Sequence, residues 1–184
     1  MNENIFNILD EIIDSSFKLS SSGGIVEIKE KKSSKCNFVN IQISNKTFAL
    51  SLDNNKVVFN CFNSAVKKIT KKNDAILFFI KKQYLIVLVL ELKSDNPKGY
   101  LEQLKAGKNF VEYLLNQIDL FYKIKIDKTK ILYRGILFKT KKSPSKGTTK
   151  KRGLIFEDRN GLYCASLECN RTYKLQMLKN SIDI

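Results

Sequence analysis

The 184-residue chain has no histidine and no tryptophan, only two prolines, and only four arginines among its 33 basic residues. Without histidine, Ser-His-Asp and Cys-His catalysis, His-ligated zinc and His-based nuclease chemistry are excluded. Chemistry here rests on carboxylates, lysine, cysteine, tyrosine or hydroxyls. The four cysteines, Cys36, Cys61, Cys164 and Cys169, lack the CxxC spacing of a four-cysteine zinc site. They are expected to be free structural thiols in a reducing, cytoplasmic setting. A long apolar run is also missing. The most hydrophobic stretch, Ala75 to Leu92, is interrupted by Lys81-Lys82-Gln83, and neither half approaches the roughly 20 residues of a membrane helix. The N-terminal MNENIFNILDEIIDSS carries acids and no basic region, so it does not read as a signal peptide.

Acids are scarce as well, 18 against 33 bases, for a formal net charge of +15. Lysine dominates over arginine and asparagine and isoleucine are abundant, the signature of an AT-rich coding sequence. Codon bias accounts for part of the lysine but not for the shortage of acids, so a polyanionic partner is expected.

Hydrophobic residues make up 43% of the chain, enough for a core, and a single domain over 1–184 is expected. Ile5, Ile8, Leu9, Ile12, Ile13 and Phe17 recur at helical spacing and predict an amphipathic helix over 3–18. Residues 25–62 switch to short β-branched and aromatic runs, predicting a meander of three or four antiparallel strands. AILFFI and YLIVLVLEL follow as a tight hairpin whose near-continuous apolarity implies burial on both faces. A second helix is predicted over 99–119, striped by Leu101, Leu104, Val111, Leu114, Leu115 and Ile118. A strand over 129–139, a basic loop, and a hairpin about Arg159-Asn160-Gly161 complete the reading. The fold class is α/β (α+β): a mixed β-sheet with a central antiparallel hairpin, flanked by helices.

Chemistry concentrates around that hairpin. Glu91 and Lys93 end the apolar strand and, two residues apart, point to one face. Folding the hairpin so that Ile80 opposes Leu85 sets Asp74 opposite Glu91, with Cβ atoms about 4.5–5.5 Å apart. Two carboxylates so close repel and are costly to desolvate, and Mg²⁺ (or Mn²⁺) relieves both penalties. Lys93 then lies beside the metal, where it can hold or activate a water. A second ExK, Glu27-Ile28-Lys29, follows no long apolar strand and reads as a solvated strand face.

Asp74, then Glu91-Leu92-Lys93, then a helix bearing Gln103, resembles the PD-(D/E)xK, or restriction-endonuclease-like, nuclease superfamily over residues 3–139. Asn73 stands where the family name has proline. The resemblance implies a helix, a three-strand meander, a second helix and a further strand. It implies a metal-dependent endonuclease with Asp74 and Glu91 as metal ligands, Lys93 as catalytic lysine, Gln103 near the scissile phosphate, and Glu11 as a candidate acid from the first helix. By the same analogy DNA is favoured over RNA, and the chain works as a homo-oligomer or within a larger assembly such as a bacterial antiviral defence system. The alternative is a catalytically silent nucleic-acid-binding or scaffold subunit.

Lys98, Lys105 and Lys108, at and near the start of the second helix, either contact phosphate or form a solvated face. Gly107 in mid-helix signals either close approach, of another backbone or of nucleic acid, or plain packing. The loop 139–152 holds seven bases and no acid, among them Lys141, Lys142, Lys150, Lys151 and Arg152. If it tracks a phosphate backbone, replacing Lys141, Lys142, Lys150 and Lys151 with serine flattens the slope of log affinity against log salt by at most roughly 3 units. Fluorescence anisotropy across a salt series measures this. An unchanged slope would assign the loop to solvent or to a protein partner.

Overall fold

The computed structural model describes residues 4–30, 35–43, 46–53, 62–63, 65–66, 69–94, 97–140 and 154–184. The basic residues 141–152 of the loop lie outside them, as does most of the strand-like run 56–62. Helix α1, Asn4–Ile12, buries Ile5, Ile8 and Leu9. It is shorter than the periodicity predicts. Asp14 accepts a hydrogen bond from the Ser16 N–H and starts a separate 3-10 turn at Ser15–Phe17, a competing local bond of the kind that short acidic side chains offer.

The strands that follow are β1 (Ser21–Ser22), β2 (Ile25–Lys29), β3 (Phe38–Gln42), β4 (Thr47–Leu50), β5 (Ala75–Lys81) and β6 (Tyr84–Lys93). Helix α2 (Tyr100–Tyr122) leads to β7 (Ile131–Lys139), β8 (Glu157–Asp158), β9 (Tyr163–Glu168), β10 (Thr172–Lys174) and the short helix α3 (Leu175–Asn180). The fold is mixed α+β. The expected meander over 25–62 is divided. β2 and β3 pair with β1 and β10 in a small sheet, whereas β4 joins the main sheet, ordered β4-β5-β6-β7-β9-β8. Adjacent strands need not share a sheet when each has its own apolar face to cover, and local alternation does not distinguish the two outcomes.

β5 and β6 are central and buried on both faces, as their composition requires. Ile76, Phe78, Leu85, Val87 and Val89 face α1 and α2. Leu77, Phe79, Ile86, Leu88, Leu90 and Leu92 face the small sheet and α3. Each such side chain contributes about 1.5–3 kcal/mol of burial, so this hairpin anchors both cores. Lys82, at positive φ, sits in the two-residue turn between the Lys81↔Tyr84 pair. β6 and β7 run parallel, as a strand–helix–strand crossover through α2 demands.

A disulfide fastens the small sheet to the main one. Cys36 and Cys169, expected as free thiols, form a disulfide with Cα atoms 5.5 Å apart, and Cys164 is free and buried. Neither sequence spacing nor composition brings partners 133 residues apart together. The pairing follows from the end of β9 lying beside the start of β3, where the Asn170 N–H donates to the Phe38 carbonyl. Next to the disulfide, the Asn170 side chain accepts from the Asn37 N–H and donates to the Lys35 carbonyl. Closing so long a loop restricts the unfolded chain. Cys36→Ser is therefore expected to lower the unfolding free energy by about 2–4 kcal/mol. Urea unfolding with and without dithiothreitol measures it, and identical curves would show the thiols unpaired.

Candidate functional site

The register of the central hairpin places the carboxylates. Ala75 pairs with Leu90, so Asp74, one residue ahead of β5, stands opposite Glu91. One backbone bond and one side-chain bond tie Asp74 to β6 just beyond the ladder. The Asp74 N–H donates to the Leu90 carbonyl at 3.2 Å, and the Leu92 N–H donates to Asp74 Oδ2 at 2.5 Å. By strand alternation Asp74, Glu91 and Lys93 share the face of Ile76 and Val89, beneath α2. Lys93 Nζ lies 2.6 Å from Glu91 Oε1, off the direction of a hydrogen bond. Neither oxygen of Glu91 has a hydrogen-bond partner, although the residue is fully buried. Asp74 keeps 6% exposure and the Lys93 side chain 23%, so the pair is closed off from solvent rather than set in an open bowl.

α2 is held against this corner by its own sequence. A Cβ at Gly107 would lie 2.6 Å from Val89 Cγ1 and closer still to the Asn73 side chain. The missing side chain thus admits the strand and the buried Asn73, not nucleic acid. Asn73 donates to the Ala75 carbonyl at 2.6 Å. Gln103, one turn before Gly107, donates from Nε2 to the Lys72 carbonyl at 2.9 Å. Lys71 reaches the Gly99 carbonyl at 3.4 Å. Gln103 therefore holds the segment that carries Asp74.

The other expected residues disperse. Glu11 does not reach the pair: it accepts a hydrogen bond from the Tyr122 hydroxyl. Tyr122 is 15 residues, about 22 Å of helix, beyond Gly107. α1 packs toward the far end of α2, a placement that helical periodicity alone does not specify. Lys108 lies over the Tyr133 ring at 5.5 Å and pairs with Glu112 at 3.6 Å. Lys105 is half-buried, near enough to Cys164 for its charge to favour the thiolate. Lys98 is exposed in the turn before α2. Lys141, Lys142, Lys150, Lys151 and Arg152 lie outside the described residues. The other ExK is solvated, Lys29 and Glu27 pairing at 2.8 Å on an exposed strand face. Glu30 and Asp53, which sequence reasoning passed over, lie close enough for their charges to raise the Asp74 carboxyl.

Both site carboxyls hold protons unusually well. Burial pushes Asp74 up to about 7, with Glu30 adding to it and the Leu92 N–H and Lys93 opposing. Burial and the Asp74 charge push Glu91 up to about 8, against Lys93. The donor set suits a hard cation. Two carboxylates are the protein share typical of a Mg²⁺ site, which keeps waters in its remaining positions. A cation bound here would take the place of the Lys93 ammonium as the charge partner of Glu91. Among the described residues no three His, Cys, Asp or Glu side chains lie close enough to enclose an ion. No family model, curated protein or solved structure matches the chain.

The raised carboxyls fix the sign of a pH effect. Folded protein binds more protons than unfolded between the ordinary carboxyl values and about 7–8. Stability therefore falls as pH rises through that window. In EDTA the unfolding free energy should decline by several kcal/mol between pH 5 and 8.5, and Glu91→Gln should flatten the decline. Urea titrations at both pH values measure it. A rise in stability toward pH 8.5 would contradict the burial of this pair.

Proposed function

We propose that the chain is a divalent-metal-dependent nuclease acting on phosphodiester bonds, with DNA ahead of RNA as substrate. One observation carries the reading: Asp74 and Glu91 oppose each other at the buried end of the central hairpin, Glu91 lacks hydrogen bonds, and Lys93 lies against it. The order α1, β4-β5-β6 meander, α2, β7 supports it, because it is the order the PD-(D/E)xK resemblance implies. Net charge of +15 suits a polyanionic substrate.

Asp74 and Glu91 would hold Mg²⁺ or Mn²⁺, which supplies Lewis acidity and lowers the pKa of bound water. Loading requires both carboxyls to lose their protons and Glu91 to exchange its contact with the Lys93 ammonium. Lys93, released from Glu91 and partly exposed, would then hold the attacking water and steady charge on the phosphate. Gln103 acts as a positioning residue through Lys72, keeping Asp74 in register with Glu91. The closed pair, already charge-matched by Lys93, favours a second reading, a silent nucleic-acid-binding or scaffold subunit.

Asp74→Ala and Lys93→Ala are each expected to reduce Mg²⁺-dependent cleavage of plasmid or single-stranded DNA by roughly a hundredfold or more. Glu27→Ala, on the exposed ExK, should leave it unchanged, and EDTA should abolish it. Undiminished cleavage by Asp74→Ala would overturn the assignment. DNA binding by the wild type without any cleavage would select the silent subunit.

A further inference from the structure

We propose that Arg134 and Tyr163 form a binding subsite for single-stranded nucleic acid, in which a base stacks on the Tyr163 ring and a neighbouring phosphate takes the Arg134 guanidinium. The subsite does not depend on the metal reading of Asp74 and Glu91 and shares with it only a polyanionic substrate. Arg134 on β7 is the register partner of Leu88 on β6 and of Tyr163 on β9. Register partners point to one face of a sheet, and Leu88 faces the small sheet and α3. Arg134 and Tyr163 therefore stand on the opposite side of the main sheet from the carboxylate pair. Arg134 Cζ lies 5.0 Å from the centroid of the Tyr163 ring and 5.9 Å from that of Phe156, within reach of a cation–π attraction.

Two observations aim the cluster at a ligand. The first is the state of Arg134, which is half-buried and gives one N–H, from Nη1 to the Tyr133 carbonyl at 2.9 Å. Its other donors meet no protein acceptor among the described residues and are not sealed from solvent. Asp183 is close enough for its charge to favour the cation but makes no ion pair with it. A planar guanidinium with free donors suits a phosphate, which it grips through two parallel bonds. The second observation is Tyr163, 50% exposed beside the edge strand β8. Among the described residues it has no hydrogen bond and no ring contact besides Arg134. A ring backed by a cation and open to solvent is a platform for a base, since every base has a π-face. The acids of β8 are engaged elsewhere. Asp158, across the ladder from Tyr163, accepts the Gly161 N–H at 2.9 Å, and Glu157 pairs with Arg159. In the chain, Phe156 follows closely on Lys150-Lys151-Arg152.

Fluorescence anisotropy of the full chain with labelled oligothymidylate and oligouridylate, in EDTA so that nothing is cleaved, tests this, and the two strands report which sugar backbone is preferred. Tyr163→Ala should weaken binding about tenfold. It should leave the slope of log affinity against log salt unchanged, because stacking is lost and charge is not. Tyr163→Phe, which keeps the ring, should stay within about twofold of wild type. Arg134→Gln should weaken binding and reduce the slope by about 0.7, the share of one phosphate on a single strand. Arg134→Lys should keep the slope. A strand of abasic sites should bind wild type and Tyr163→Ala alike. Asp74→Asn, on the other face, should bind as wild type does, and circular dichroism melts should show each variant folded. Wild-type affinity in Tyr163→Ala, or an equal loss on the abasic strand, would overturn the stacking role. An unchanged slope in Arg134→Gln would overturn the phosphate contact. A wild type that binds no single strand would overturn the subsite and leave the Asp74–Glu91 reading to its own cleavage test.

Discussion

The pairing of β5 with β6 is the constraint from which the remaining structure follows. Strand side chains alternate with a period of two, so a slip of one residue exchanges the two faces of a strand. Here both faces are apolar along β6 from Leu85 to Leu90, and burial alone would tolerate a slip poorly but not forbid it. The short turn at Lys82 and the Asp74–Leu92 and Asp74–Leu90 bonds remove the ambiguity. Once the register is set, Asp74 and Glu91 meet; β7 and α2 are then aligned on β6 by their own contacts, Leu92 with Phe138 and Val89 with Gly107.

That alignment imposes an electrostatic cost at one end of an otherwise apolar hairpin. Two carboxylates are desolvated together, and one lysine is set against Glu91. The protein lessens the cost in two ways visible in the structure. A backbone N–H is committed to Asp74, and both carboxyls are displaced toward retaining protons. Asn73, Gln103 and Lys71 then fasten the segment carrying Asp74 to β5 and to the start of α2. These bonds go to backbone carbonyls and so hold the segment without drawing on the charge of Glu91 or Lys93.

The two faces of the main sheet are covered by different means. α1 and α2 form one layer, and the small sheet with α3 forms the other. The second layer is built from widely separated chain segments, β1 to β3 from the first quarter and β10 with α3 from the end. β10 lies parallel to β3, and the disulfide joins the same two regions. Such an assembly has little local definition, and its cross-link and the Asn170 bonds substitute for a connecting turn.

Much of this was legible beforehand, for a physical reason in each case. β5, β6, α2 and β7 announce themselves because long apolar or periodic runs permit one solution each. The opposition of Asp74 and Glu91 could be derived because a hairpin with a short turn converts sequence separation into register. Gly107 was recognisable as a close-contact position, but its partners, Asn73 and Val89, come from elements outside its own helix. What the sequence by itself determined is therefore whatever depends on neighbours in the chain: element type, hairpin register, the shared face of Glu91 and Lys93, and an excess of positive charge. Only the tertiary structure decided that β2 and β3 leave the meander for a second sheet, that Cys36 finds Cys169, and that Glu11 sits beside Tyr122. Each of these depends on how separately folded faces are matched to cover one another. That matching is a property of the summed surfaces of the elements, and no local spacing encodes it.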